Sequence, residues 1–260
     1  MDPTARFGEL VRGGEAELAH RLDEAALVIA AHAQPDLDVG AYLGHLDAIA
    51  AATEEPTVAA VLDRLFRVEG FGGDTETYYD PRNSYLDQVI DRRRGIPITL
   101  SLVVVEVGRR LGVTFVPIGI PGHFLVRYGD SFVDAFEGGR VLTLAECEKR
   151  FDEIHAGAIP FGPAVLDPAR PFDILSRMLA NLRQIHLAKR DSVSLEWVLR
   201  LRGMLPGMTI EERAERAGVL AALGRFDKAA DLLEELAPEA DEAKATALTA
   251  KAKQLRARLN

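Results

Sequence analysis

Two runs of this chain place a histidine and an aspartate where they can act together. The runs are His123-Phe-Leu-Val-Arg-Tyr128 and Ser131-Phe-Val-Asp-Ala-Phe136, with Gly129-Asp130 between them. A two-residue loop containing Gly between apolar runs predicts a β-hairpin. That loop sets Tyr128 opposite Ser131, Val126 opposite Val133 and Leu125 opposite Asp134. Side chains alternate along a strand, so His123, Leu125 and Arg127 share one face, as do Phe132, Asp134 and Phe136. His123 and Asp134 are then diagonal cross-strand neighbours, close to hydrogen-bond reach. A histidine oriented by a carboxylate is the base half of a nucleophile–His–Asp triad. The chain has a single cysteine, Cys147, which follows both residues on a predicted helix. It reads as a structural thiol.

The elements that position this pair follow from the apolar pattern. Residues 1 to about 67 read as helices. Leu18, Leu22, Ala25, Ala26 and Ile29 recur at helical spacing, a second helix fits Val39 to Ala52, and Glu54-Glu-Pro-Thr57 opens a third with Pro56 early in it. Asp80-Pro-Arg-Asn-Ser84 is a turn, and Asn83 or Ser84 is expected to cap a helix beginning near Tyr85. Leu100 to Leu111 is apolar almost all round, which predicts a buried central helix, closed by Gly112. Val113 to Ile120 is a strand candidate ahead of the hairpin. Thr143-Leu-Ala-Glu146 has the form of a capping box opening the next helix.

Beyond the Pro-rich stretch Asp167-Pro-Ala-Arg-Pro171 the chain reads as helical. Ala221-Ala-Leu-Gly-Arg-Phe-Asp-Lys-Ala-Ala-Asp-Leu-Leu-Glu-Glu-Leu-Ala-Pro238 fits the tetratricopeptide pattern, and Pro206 closes an earlier helix from Leu195 to Leu205. The two prolines are 32 residues apart, near the repeat period of about 34. The expected organisation is residues 1–168 as one domain, with a helical N-terminal part over 1–67, and residues 169–260 as a TPR-like helical domain.

The order of a buried helix, then His, then Asp on successive strands resembles the transglutaminase-like, papain-type cysteine-hydrolase fold. The resemblance implies an α+β core and a nucleophilic cysteine at the start of the buried helix, a few residues after a glycine. A helix N-terminus there lowers the thiol pKa. Matching Gly95 and Leu111-Gly112 to that pattern puts the nucleophile position at Pro97. Residues 95 to 101 are Gly, Ile, Pro, Ile, Thr, Leu and Ser, with no cysteine among them. Proline has no thiol and no backbone N–H for an oxyanion hole. Thr99 and Ser101 are the nearby hydroxyls. Tyr79-Asp-Pro-Arg-Asn-Ser-Tyr-Leu86, Arg93-Arg-Gly-Ile-Pro-Ile98, Pro121-Gly-His-Phe-Leu-Val-Arg127, Asp134-Ala-Phe-Glu-Gly-Gly139 and Ile174-Leu-Ser-Arg-Met-Leu-Ala-Asn-Leu182 narrow it further. These strings are similar to the bacterial Sir-B-type (invasion-regulator) family, which joins a transglutaminase-like domain to C-terminal tetratricopeptide repeats. The family pattern has Asp-Pro-Phe where this chain has Asp134-Ala135-Phe136. The family generally lacks the catalytic cysteine.

Each residue also has a plain structural reading. His123 is either a core histidine with a partner or a pocket group. Arg127 pairs with Asp134, binds an anion or sits on the surface. Asn83 and Tyr85 cap and pack a helix, or line the pocket with Gly95, Ile96, Thr99, Ser101 and Gly122. Arg92-Arg-Arg94 suits a helix C-terminus.

The formal charge of −9 argues against a nucleic-acid or anionic-membrane partner. The sequence has no run of 18 apolar residues, and with no apolar stretch in Met1-Asp-Pro-Thr-Ala-Arg6 no signal peptide is expected. One cysteine excludes a disulfide framework, and no cofactor or metal is expected. These features suit a cytoplasmic protein with an unidentified protein or peptide partner. The expected function is binding or regulation by a catalytically impaired transglutaminase-like domain. Two alternatives stand beside it: a cysteine-independent hydrolase using Ser101, Thr99 or a His-activated water, and a structural TPR adaptor.

Overall fold

The computed structural model describes residues 2–259. The chain divides into two compact units, Met1–Met178 and Leu179–Asn260. The expected boundary at 168/169 lies in the Pro-rich stretch just before the helix that carries this division.

The first unit begins with helices α1 (Pro3–Arg12), α2 (Gly14–Leu18), α3 (Leu22–Ala30), α4 (Val39–Ala51) and α5 (Val58–Leu62). A π-helical turn over Asp63–Val68 follows. The stripe from Leu18 to Ile29 is not one helix. Arg21 N bonds Leu18 O in a tight turn that separates α2 from α3. Pro56 also lies outside its helix. Thr57 is the N-cap of α5, its side chain accepting from Ala60 N at 3.2 Å. A threonine hydroxyl that satisfies an orphan N–H fixes the start more strongly than a proline one residue earlier.

Short strands β1 (Gly72–Gly73) and β2 (Arg94–Gly95) pair in parallel and flank α6 (Leu86–Arg92). The expected cap by Asn83 or Ser84 is absent: α6 starts after Tyr85 with no side-chain cap. Asp80 instead caps a 3₁₀ turn over Pro81–Asn83 through Arg82 N. That turn holds Asn83 for another task, described below.

Helix α7 (Pro97–Arg110) is the centre of this unit. It packs on α3, α4, α5 and α6. On its other flank it meets β3 (Val116–Ile118) and β4 (Leu125–Tyr128). Leu100, Leu102, Val103, Val104 and Val107 are all buried. Burial of each such side chain stabilises by about 1.5–3 kcal/mol, which is why so apolar a helix belongs inside. Gly112 ends the helix region at φ +73, where a Cβ would be strained.

Strands β3, β4, β5 (Ser131–Asp134) and β6 (Arg140–Leu142) form an antiparallel meander in that order. The hairpin register pairs Val126 with Val133 and Tyr128 with Ser131. The strand expected over Val113–Ile120 contracts to three residues. His123 also precedes the strand it was expected to open. Pro121-Gly122 turns the chain, Gly122 lies at φ +73, and His123 N bonds Ile120 O at 3.1 Å. Thr143 caps α8 (Leu144–His155) in a full capping box with Glu146. Cys147 and Phe151 of α8 pack on the sheet with Ile118, Ile120, Leu125, Phe132 and Leu142.

Helix α9 (Pro171–Ala188) carries the unit division. The second unit adds α10 (Ser192–Arg202), α11 (Ile210–Ala222), α12 (Phe226–Leu236) and α13 (Glu242–Arg256). Asp191 caps α10 by accepting from Ser194 N, so that helix starts before Leu195 and ends before Leu205. Successive helices pack on one another, around Ala217, Leu220, Ala229, Ala230, Leu233, Ala252 and Leu255. Trp197 is buried, with its ring edge-on to His186.

Candidate functional site

Asp134 ends β5 fully buried, and its two oxygens accept from different directions. Oδ1 accepts from Phe136 N at 3.0 Å and Glu137 N at 3.1 Å. These backbone donors come from the turn leaving β5, so the chain itself fixes the carboxylate. Oδ2 accepts from His123 Nε2 at 2.7 Å and from Arg150 Nη1 at 2.7 Å. Burial pushes the Asp134 carboxyl up. The His123 bond and charge, the Glu137 N–H and Arg150 outweigh it and hold the group below its ordinary value. Asp134 is therefore ionised, and an ionised carboxylate only accepts. His123 Nε2 must carry a proton, and in the neutral ring Nδ1 is left as an acceptor.

His123 is itself 7% exposed and reaches Asp134 from the Pro121-Gly122 turn. Its ring meets Phe136 edge-on at 6.3 Å. Phe136 contacts Tyr78 at 5.8 Å, and Tyr78 contacts Tyr79 at 5.2 Å, both edge-on. These groups border an open cleft of about 890 Å³. Pro97, Gly122 and His123 share its surface with Thr75 and the three aromatic rings. Glu137, Arg150, Glu153 and Ile154 complete it. The first residue of α7 and His123 thus meet in one cavity, with Asp134 buried behind the histidine.

The remaining expected pocket residues are placed otherwise. Thr99 is fully buried, and its hydroxyl donates to Asn83 O at 2.8 Å or Ile96 O at 3.1 Å. It also accepts from Ile96 N at 3.2 Å, which closes the start of α7. A hydroxyl so engaged is a helix cap and not a nucleophile facing the cleft. Ser101 is fully buried, its Oγ has no hydrogen-bond partner among the described residues, and it lies outside the cleft lining. Asn83 is also fully buried. Its Nδ2 donates to Thr77 O at 2.8 Å and its Oδ1 accepts from Arg92 Nη1 at 3.0 Å. Arg92 also reaches Asp74 at 3.1 Å, so it belongs to this internal network and not to solvent alone. Tyr85 and Ile96 are buried as the residues preceding α6 and α7. Gly95 lies in β2, where a Cβ would come within 2.8 Å of Thr99 Oγ1 and 3.0 Å of Val89. None of these residues lines the cleft.

Arg127 lies half-buried on β4, paired in register with Phe132. Among the described residues the cation bonded to Asp134 is Arg150 of α8, which also pairs with Glu137. The Thr143 capping box carried a signal for this. It fixes the helix start, and Arg150 then falls three residues after buried Cys147 and beside buried Phe151, on the side facing the sheet. Cys147 is 1% exposed, and burial first, then the Asp134 and Glu146 charges, push its thiol up to about 11. Among the described residues no group of three His, Cys, Asp or Glu side chains is arranged to hold a metal ion.

Residues 16–180 match the transglutaminase-like superfamily, and the chain belongs to it. Within that superfamily it groups with the UPF0162 proteins. It is 39% identical over 227 residues to a UPF0162 protein of Xylella fastidiosa strain Temecula1, covering 77% of this chain and 81% of that one. A UPF0162 protein of Xylella fastidiosa strain 9a5c is 39% identical over 177 residues, 62% of this chain and 63% of the relative, so that match spans less than two thirds of its length. Human F-box only protein 21 is 34% identical over 141 residues, 50% of this chain and 21% of that protein. No solved structure matches the chain.

Proposed function

We propose that this protein is a catalytically impaired transglutaminase-like module that binds a protein or peptide segment in the cleft and does not cleave it. One observation carries the reading: Pro97 occupies the first turn of α7 on the same cleft as His123, whose ring is bonded to buried Asp134. A proline there offers neither a nucleophile nor a backbone donor for a developing oxyanion. The Thr99 hydroxyl is committed to capping α7, which disfavours a serine- or threonine-type hydrolase. What the cleft does offer is recognition: a histidine held by Asp134 beside a set of aromatic rings. The superfamily match and the UPF0162 relatives support the transglutaminase-like part.

The helices of the second unit we read as TPR-like, in the Sir-B-type arrangement. The spacing of Pro206 and Pro238 and the consecutive packing of α10 to α13 support this. One or two such repeats extend a contact surface but are too few for a free-standing solenoid. We place the protein in the cytoplasm. No helix among the described residues is long and apolar enough to cross a membrane.

The test is a panel of fluorogenic amide and ester substrates assayed with the protein and with His123→Ala. The expected result is no His123-dependent turnover. Robust hydrolysis that disappears in His123→Ala overturns the proposal.

A further inference from the structure

The turn that presents His123 is held by side chains at three carbonyls. Arg177 of α9 donates from Nη1 to Ile120 O at 2.8 Å and from Nη2 to His123 O at 2.7 Å. His155, at the end of α8, bonds Pro121 O from Nε2 at 3.1 Å. Inside the turn, His123 N donates to Ile120 O. The two carbonyls taken by Arg177 flank Pro121-Gly122, so one guanidinium spans both ends of the turn.

Arg177 is half-buried, and burial lowers its pKa. Among the described residues no carboxylate is bonded to it. A cation withdrawn from water usually stands against an acid, because desolvation otherwise goes uncompensated. Here two carbonyls and the face of Phe124, 5.4 Å from the guanidinium carbon, stand in for the acid. Such an arrangement does little for charge balance. It selects one backbone shape, because the planar guanidinium presents its two N–H groups in a fixed fork. A lysine ammonium, being a point charge, cannot set the distance between two carbonyls in the same way.

We propose that Arg177 is the positioning residue of the cleft. It fixes the Ile120–His123 turn so that the imidazole keeps its bond to Asp134 at the cleft. The assignment rests on the proposed function only in treating His123 as the cleft's working group.

The test compares Arg177→Met and Arg177→Lys in the full-length chain with two readouts. The first is the nitrogen-15 and carbon-13 NMR signature of the His123 imidazole, which reports which nitrogen carries the proton. The second is the alkylation rate, near neutral pH, of the thiol introduced by Pro97→Cys, which depends on a correctly placed imidazole. In Arg177→Met the Nε2-protonated signature is expected to give way to a mixture, and alkylation to slow by about tenfold or more. Arg177→Lys is expected to fall between that variant and the wild type. Wild-type signatures in a folded Arg177→Met overturn the proposal. If that variant does not fold, Arg177→Lys decides: loss in both readouts supports the fork, and wild-type values in both overturn it. If the Pro97→Cys thiol is inert with Arg177 in place, the lost-triad reading of the cleft fails. The imidazole signature alone then decides the role of Arg177.

Discussion

Asp134→Asn removes one charge and converts one acceptor into a donor. The wild-type carboxylate accepts from Phe136 N and Glu137 N on one oxygen, and from His123 and Arg150 on the other. In the variant the amide oxygen goes to the two backbone N–H groups, which cannot adapt. The amide NH₂ then faces His123 Nε2 and Arg150 Nη1. The histidine can respond by moving its proton to Nδ1 and accepting at Nε2. The arginine cannot, since it is donor-only. The net loss is one charge-assisted bond plus an encounter between two donors, together about 2–4 kcal/mol. The wild-type term depends on pH with a definite sign. The folded carboxyl lies below its unfolded value, so its contribution is present above the unfolded pKa and is lost as pH falls through the folded one. Urea unfolding should therefore show the largest gap between wild type and variant near neutral pH. The gap should narrow on acidification towards about pH 3. NMR should show the His123 proton moved from Nε2 to Nδ1. A variant within about 1 kcal/mol of wild type at neutral pH, with the original tautomer, would refute the argument that Asp134 organises the site.

Glu106 of α7 is fully buried. Burial, then the Asp23 charge, raise its carboxyl to about 7 against the pull of Arg109 and Arg110. A raised folded pKa gives stability that is complete below the unfolded value and is lost as pH rises through the folded one. Wild-type stability should fall as pH rises from the ordinary carboxylate range towards about 7, and Glu106→Gln should flatten that slope in urea titrations. Cys147 should resist iodoacetamide in the folded protein at neutral pH and react fully once unfolded in urea, as its burial and raised pKa require. Gly122→Ala should lower stability more than Gly112→Ala in thermal melts, by about 1–2 kcal/mol. Both lie at φ +73, but only at Gly122 does a Cβ fall within 2.8 Å of a side chain, that of Ile154.

Local chemistry decided which features could be read from the chain. The hairpin register was legible because a two-residue loop at Gly129-Asp130 sets Tyr128 opposite Ser131 and Val126 opposite Val133. The apolar run after Gly95 marked α7 as buried, and Thr143 with Glu146 marked the start of α8. The break between α2 and α3 was not legible, since Leu18 and Leu22 keep helical spacing across it. The cap made by Thr99 was hidden because its acceptor, Asn83 O, lies 16 residues earlier. Arg150 and Arg177 were missed for the same reason. They reach Asp134 and His123 from 16 and 54 residues away, through helices whose placement is a property of the tertiary fold.

The clamp around His123 has a thermodynamic consequence. With its ring bonded to Asp134 and its turn held by Arg177 and His155, the imidazole loses its freedom when the chain folds. A partner entering the cleft meets a group with no rotamer entropy left to surrender. Tyr79 differs, being 67% exposed at the same cleft. Ordering of that ring, not of the histidine, is where the entropic penalty of association should concentrate.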